Sequence, residues 1–342
     1  MKLVGNVKKE LWKEFVNENP KSTIYHTPEW VSVLEKTFDY RPKHLFAIDD
    51  SEKILGFIPM FHVKSKIFGS RLSCLPFSHI CGFIGEEKVK KEILNEAIEI
   101  SEKLKSKLEI RDLVDDNIFQ TIGGFYTYVL RLSEDLKEIW KKMDKGSVRW
   151  AIKKASKEGV LVEQILDLSA LREFIELNFI TKKNLGVPAH PSRFFENLFK
   201  ELEDNMRLYL AKFKNEVIGG GLFLYFKDTV LYGYGASNPK YLKLHPNHAI
   251  LWKAIEDACK EGFVYFDFGR ASINESGLRA FKLRWGTEEI ALKYSFYPNC
   301  NIPLVKGETH NSAIYKMGKL LIKNLPLRFY KEFSEKIVGT IG

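Results

Sequence analysis

The chain has 342 residues, 45% of them hydrophobic and 13% aromatic, which is ample for one large core or two ordinary ones and excludes a disordered chain. It has no run of about 18 apolar residues, which excludes a membrane-spanning helix. The charged start MKLVGNVKKELWKEF lacks the apolar centre of a secretion signal, so a cytoplasmic protein is expected, and the net charge of +9 suits an anionic partner. Past a short loop holding His26, Pro28 opens a helix, EWVSVLEKTF. LFAIDDSEKILGFIPMFHV (45–63) then reads as two apolar strands around the turn Asp49-Asp50-Ser51-Glu52. Lys64, Lys66 and Arg71 follow in FHVKSKIFGSRL, and a helix containing Ala97-Ile98-Glu99 leads into the strand LEIRDL. Residues 132–158 read as two basic helices, the first capped by Ser133 and the second ending at Gly159. A second helix after a proline (SRFFENLFKEL, after His190-Pro191), a second hairpin (208–226) and the helix AILWKAIEDACKEG come next. The strand VYFDFG ends at Gly269-Arg270, a polar loop follows, and a helical turn presents Lys282 and Arg284 between Phe281 and Trp285. The tail, YKMGKLLIKNLPLRFYKEFSEKIVG, is amphipathic and basic and is broken at Pro326.

The chain repeats itself. The two hairpins align without a gap at a shift of 163 (208 − 45), and the same shift pairs Pro28 with Pro191. Ala-Ile-Glu at 97–99 recurs at 254–256, a shift of 157 (254 − 97), each time in a helix leading into a strand. Each half therefore runs helix, antiparallel hairpin, further strand, helix, strand: an α+β order with helices on mixed, mostly antiparallel sheets. Residues 24–130 and 187–297 are expected to superpose, with Gly56 over Gly219. The Gly219-Gly220-Gly221 run is better explained by a bulge or close backbone approach than by phosphate binding.

These halves resemble two tandem GNAT-like acyltransferase domains, and their arrangement is similar to the Fem-type peptidyltransferases and the FemAB-like group. The stretches that carry the resemblance are YHTPEW (25–30), ILGFIPMFHVKSKIFGSRLSCLPFSHICG (54–82), VRWAIKKASKEGVLVE (148–163), LGVPAHPSRFF (185–195), FDFGRAS (266–272) and FKLRWG (281–286). It implies domains at 1–142 and 143–342, with the tail helix 312–338 packing back on the first. It also implies transfer of an amino acid from aminoacyl-tRNA to an amine of a cell-envelope precursor. GNAT enzymes usually hold the CoA pyrophosphate on a glycine-rich loop at a helix N-terminus. KYLKLHPNH stands there instead and GEEKVKKE in the first half, which favours aminoacyl-tRNA over acyl-CoA as the donor. Two alternatives remain. One is a FemAB-like N-acyltransferase with an acyl-CoA or acyl-carrier donor, acting on envelope or polysaccharide precursors; the other is a non-catalytic protein binding tRNA or the precursor.

By the resemblance Lys282 faces the reaction centre, where a fixed ammonium would stabilise the oxyanion of ester aminolysis. Arg270 is the candidate clamp for phosphate or carboxylate. Asp267 is a substrate contact or a structural acceptor, and regular alternation along the strand would set it on the opposite face from Arg270. Arg279 and Arg284 are weaker candidates for the same cleft. In the first half Trp30, Lys64, Lys66 and Arg71 stand where Fem-type proteins bind the acceptor; the plainer reading is a core tryptophan and a solvated loop. The basic helices between the halves are either solvated faces or a contact for tRNA phosphates. The tail either packs on the body or touches a membrane surface. The four cysteines and eight histidines form no metal-binding spacing, so buried thiols, no metal and no resident cofactor are expected.

Overall fold

The computed structural model describes residues 1–38, 40–65, 69–299 and 313–341. Its Cα packing divides the chain into two units, neither of them contiguous. One comprises Met1–Gly124, Ala291–Lys306 and Gly339–Gly342; the other comprises Phe125–Ile290 and Gly307–Val338.

In the first unit the order is β1 (Lys2–Val4), α1 (Lys9–Glu18), α2 (Pro28–Phe38), β2 (Arg41–Pro42), β3 (Leu45–Ile48), β4 (Ile54–Ile58), β5 (Phe61–Ser65), β6 (Gly69–Ser73), β7 (Ile84–Gly85), α3 (Glu87–Lys103) and β8 (Lys107–Ile110). β9 (Gln120–Arg131) crosses into the second unit. There follow α4 (Leu136–Lys142), α5 (Trp150–Lys157), β10 (Leu161–Gln164), α6 (Leu168–Leu185), α7 (Ser192–Leu202), β11 (Met206–Phe213), β12 (Glu216–Phe226), β13 (Thr229–Ser237), α8 (Pro246–Lys260), β14 (Tyr265–Ser272) and α9 (Ser276–Leu283). β15 (Glu288–Tyr297) returns to the first unit, and the helices α10 (Ala313–Asn324) and α11 (Leu327–Ile341) close the chain.

The first unit holds one sheet in the order β1-β3-β4-β7 and a run β2-β5-β6-β8-β15; the second holds the run β10-β11-β12-β13-β14-β9. β6·β8 and β13·β14 pair in parallel, and the other described ladders are antiparallel. Both parallel pairs are bridged by a helix, and both open 36 residues apart: Arg71 with Lys107 (107 − 71) and Thr229 with Tyr265 (265 − 229).

The duplication extends to irregularities. The β3·β4 ladder skips Leu55 and the β11·β12 ladder skips Ile218, which is 163 residues later (218 − 55). Each bulge precedes a glycine under a helix: a Cβ on Gly56 would lie 2.7 Å from Val89 Cγ2, and one on Gly219 2.9 Å from Pro246 Cβ. The partner strands are one residue out of step, because Gly56 pairs with Ala47 and Gly219 with Ala211. One feature is not repeated. β12 runs unbroken, whereas its counterpart stops at Ile58, before Pro59, and resumes as β5 in the other run of strands. Proline has no N–H to give a ladder, so the strand switches partners there.

The second unit's core lies between its sheet and α5 and α8, with Tyr209, Phe223, Ile250, Phe266 and Trp285 fully buried. The cap of the first basic helix differs from expectation. Asp135, not Ser133, caps α4 by accepting from Lys137 N at 2.9 Å, because the backbone sets Asp135 immediately before the first turn. Asp144 caps a π-helical turn (Lys145–Arg149) that precedes α5. Residues 313–338 of the tail belong to the second unit, where α10 lies on α6. From Gly339 the chain belongs to the first unit, where Gly339 O accepts from the Tyr40 hydroxyl at 2.6 Å. Among the described residues no helix is long and apolar enough to cross a membrane. Cys74, Cys81 and Cys259 are free and buried, and Cys300 lies outside the described residues.

Candidate functional site

β13 and β14 pair over three residues only, Thr229–Leu231 with Tyr265–Asp267; beyond these the ladder stops although both strands continue. β14 bulges at the same point. Asp267 pairs with Val129 and Arg270 with Thr127, with Gly269 between them at φ 71, a conformation open to glycine. Paired residues share a face of the sheet, and Val129 and Thr127 are two apart. Asp267 and Arg270 therefore project from the same face, which corrects the opposite-face expectation: the extra residue of the bulge resets the alternation. Asp267 staples the bulge, its Oδ1 accepting from Thr127 Oγ1 at 2.5 Å and from Gly269 N at 2.7 Å. The exposed Arg270 guanidinium lies over the Phe125 ring at 4.7 Å.

Lys282 reaches the same bulge through its backbone. Its side chain is buried, and Nζ donates to Gly269 O at 2.8 Å and Arg270 O at 3.0 Å while lying 5.3 Å from the Tyr128 ring centroid. Burial pushes its pKa down to about 8, against the pull of Asp267 and Glu275. The aromatic residues around it fix the helical turn: Trp285 is fully buried, with Phe268 at 5.6 Å and His248 stacked at 5.8 Å.

The other predicted residues separate. Arg279 is engaged by Glu289 (Nη2 to Oε1 2.9 Å and to Oε2 3.1 Å) and by the Tyr128 hydroxyl. Arg284 is exposed, and its carbonyl accepts from Asp144 N. In the first unit Trp30 is 1% exposed and packs edge-on to Tyr25 at 4.9 Å, which places it in the core and out of reach of a soluble ligand. Arg71 donates to Thr340 O at 3.2 Å, with Glu109 at 3.9 Å; Lys64 is exposed on β5, and Lys66 lies outside the described residues.

Sequence reasoning missed a group at the far end of β13. Thr181 of α6 exchanges hydrogen bonds with Ser237 (Oγ1 to O 3.0 Å; N to Oγ1 2.8 Å), which brings Lys182 alongside. Lys182 makes no hydrogen bond or ion pair among the described residues, and burial lowers its pKa while Glu275 opposes. His190 stands edge-on to Tyr234 at 5.3 Å, and burial, then the Lys182 charge, push its pKa down to about 3. Adjacent lysines in TKKNLG look like an ordinary solvated turn, so the sequence held no signal for Lys182. Among the described residues no group of three or more His, Cys, Asp or Glu could hold a metal ion.

The helix that bridges β13 and β14 begins without a phosphate cradle. His245 sits at φ 56, Pro246 has no N–H, and the N–H groups of His248 and Ala249 both donate to His245 O. Trp150 stands beside this entry, 50% exposed, edge-on to His245 at 5.1 Å and with Lys154 Nζ 5.0 Å from its ring.

Comparison with known proteins agrees with this geometry. Residues 144–283 match the family model described as an acetyltransferase (GNAT) domain. No curated protein matches the sequence. Among solved structures FemX is similar at 17% identity and a TM-score of 0.66, over 93% of this chain and 100% of that one. L-PGS from Bacillus licheniformis is similar at 13% identity and a TM-score of 0.58, over 92% and 97%. A tandem GNAT protein from the clavulanic acid biosynthesis pathway follows at 9% identity and a TM-score of 0.51, over 86% and 97%. With two copies of one α+β unit and a splayed parallel pair in the second, the chain shares the fold of FemX, and its residues 144–283 match the acetyltransferase (GNAT) domain model.

Proposed function

We propose that the protein forms amide bonds in the cytoplasm by moving an amino acid from aminoacyl-tRNA to an amine of a cell-envelope precursor. The amine nitrogen attacks the ester carbonyl, a C–N bond replaces the C–O bond, and the amine's proton goes to the released ribose hydroxyl. Lys282 stands by the carbonyl: two of its N–H groups hold the β14 bulge, and the third remains for the developing oxyanion. Arg270 binds the anionic part of a substrate, Lys182 a second negative group, and Asp267 keeps the bulge in shape.

The observation that carries the choice of donor is the set of unpaired cations along α4, the π-helical turn and α5. Lys137, Lys141, Lys142, Lys145, Arg149, Lys153, Lys154 and Lys157 make no ion pair among the described residues, and the exposed Trp150 stands among them. Unpaired cations release counterions when they meet phosphates, and an exposed indole stacks on a base. The filled entry of α8 supports the same choice, because it offers the CoA pyrophosphate few free N–H groups.

The test is a donor screen of the purified protein with charged tRNAs and with acyl-CoAs, following binding and transfer. Transfer from charged tRNA is expected, and Lys282→Met should slow it roughly 100- to 1000-fold, in turnover more than in acceptor affinity. Tight CoA binding at physiological salt with no affinity for tRNA would reverse the choice of donor.

A further inference from the structure

The segment AIYKMGKLLIKNLPLRFYK (313–331) carries Lys316, Lys319, Lys323, Arg328 and Lys331 and no acidic residue. Four of its apolar side chains are turned outward: Met317, Leu320 and Leu321 of α10 are 58%, 61% and 63% exposed, and Phe329, just past the Pro326 turn, is 59% exposed. Positions 317, 320, 321 and 324 lie one helical turn apart and form a single face.

This exposure is fixed by what holds the opposite face. A Cβ on Gly186, at the end of α6, would lie 2.8 Å from Lys319 O, so the two backbones are in close approach. Lys183 Nζ donates to Lys323 O at 2.6 Å. Beyond Pro326, Tyr330 is fully buried and donates to Val187 O at 2.8 Å, and helical geometry then turns its neighbour Phe329 away. Lys331 is held by Glu176, and Arg328 has Glu332 at 3.7 Å. Lys323 is exposed with no acidic partner among the described residues.

We propose that this face docks the protein on an anionic lipid surface, with Met317, Leu320, Leu321 and Phe329 entering the acyl boundary and Lys323 and Arg328 resting among phosphate headgroups. A helical segment whose apolar face is flanked by cations, with Glu332 beside Arg328 the one acidic neighbour named above, suits the plane of a membrane interface. A second copy of the chain suits it poorly. A two-fold contact would set this acid-free segment against itself, like charge against like, in a molecule of net charge +9. The inference is independent of the aminoacyl-transfer reading, and its test needs no turnover.

The full chain would be sedimented with phosphatidylcholine vesicles and with vesicles that also contain phosphatidylglycerol. Binding to the anionic vesicles alone, weakened by salt, is expected. Leu320→Asp with Leu321→Asp should cut it at least about tenfold, with an unchanged circular dichroism spectrum because both side chains are already exposed. Lys323→Gln with Arg328→Gln should weaken binding to the anionic vesicles and flatten its salt dependence. Wild-type protein that ignores the anionic vesicles, or a double leucine variant that binds as wild type does, overturns the proposal. A dimer in sedimentation velocity that the leucine variant dissolves, without vesicle binding, assigns the face to a second copy and overturns it equally.

Discussion

Lys282 is a buried ammonium whose nearest partners are two carbonyl oxygens rather than a carboxylate. Replacing it with methionine keeps the apolar stem and leaves both carbonyls short of a donor, so Lys282→Met should lower stability by about 1–3 kcal/mol in denaturant unfolding. The pH dependence has a definite sign. The folded pKa, about 8, lies below the ordinary 10.5, so between these values the unfolded chain binds more protons and stability from this group rises with pH. Below pH 8 both states are protonated and its contribution is flat. The wild type should therefore gain up to about 3 kcal/mol relative to Lys282→Met between pH 8 and 10.5, and equal slopes would show that the lysine titrates normally. That Lys282 returns to the end of β14 was legible in FKLRWG, where Phe281 and Trp285 frame it; its part in the chemistry is the proposal made above. The bulge was not legible, since a glycine at a strand end fits a turn as well as an extra residue.

At the scale of elements, the paired glycines make the duplication testable. Alanine at Gly219 would press on Pro246 and Ile250 of α8, and alanine at Gly56 on Val89 and Phe83. Each substitution should cost about 1–3 kcal/mol, read as a shifted unfolding midpoint, because neither helix can retreat without uncovering its core. A neutral Gly219→Ala would mean that α8 is loosely seated. The hairpins, the helices that cover them and their order were all readable from the repeat, at a shift of 163 for the hairpins and 157 for the covering helices. What could not be read was the fate of the strand at Pro59. The missing donor is visible in the sequence, but which sheet receives the next residues depends on long-range pairing. Helix caps failed for a nearer reason: Ser133 and Asp135 are both good caps, and only the backbone decides which one the first turn reaches.

For the whole molecule, a charge of +9 gains meaning from its distribution. Ion pairs occupy many surface cations elsewhere, such as Lys9 and Lys13 with Glu29 and Lys212 with Glu163, while the cations of the α4–α5 segment have none among the described residues. If that segment meets RNA, Lys145→Gln, Lys153→Gln and Lys157→Gln should each flatten the dependence of log affinity on log salt by roughly one phosphate contact. An unchanged slope would place the RNA elsewhere. Composition alone was silent on this, because lysines scattered along a chain look alike until packing sorts the paired from the unpaired. The division into units was hidden for a related reason. The sequence reads as two consecutive halves, whereas the packing returns the end of β15 and the last residues of α11 to the first unit. That return sets an order for synthesis. Tyr294 and Ser295 of β15 hydrogen-bond to His79 and Asp112, and residues 295–297 pair with β8. When residue 290 has left the ribosome, every strand of the second unit's sheet is available, while the first unit still lacks a strand. The half that is translated first is therefore the half that is completed last, and until then β8 presents an open edge for the nascent chain to guard.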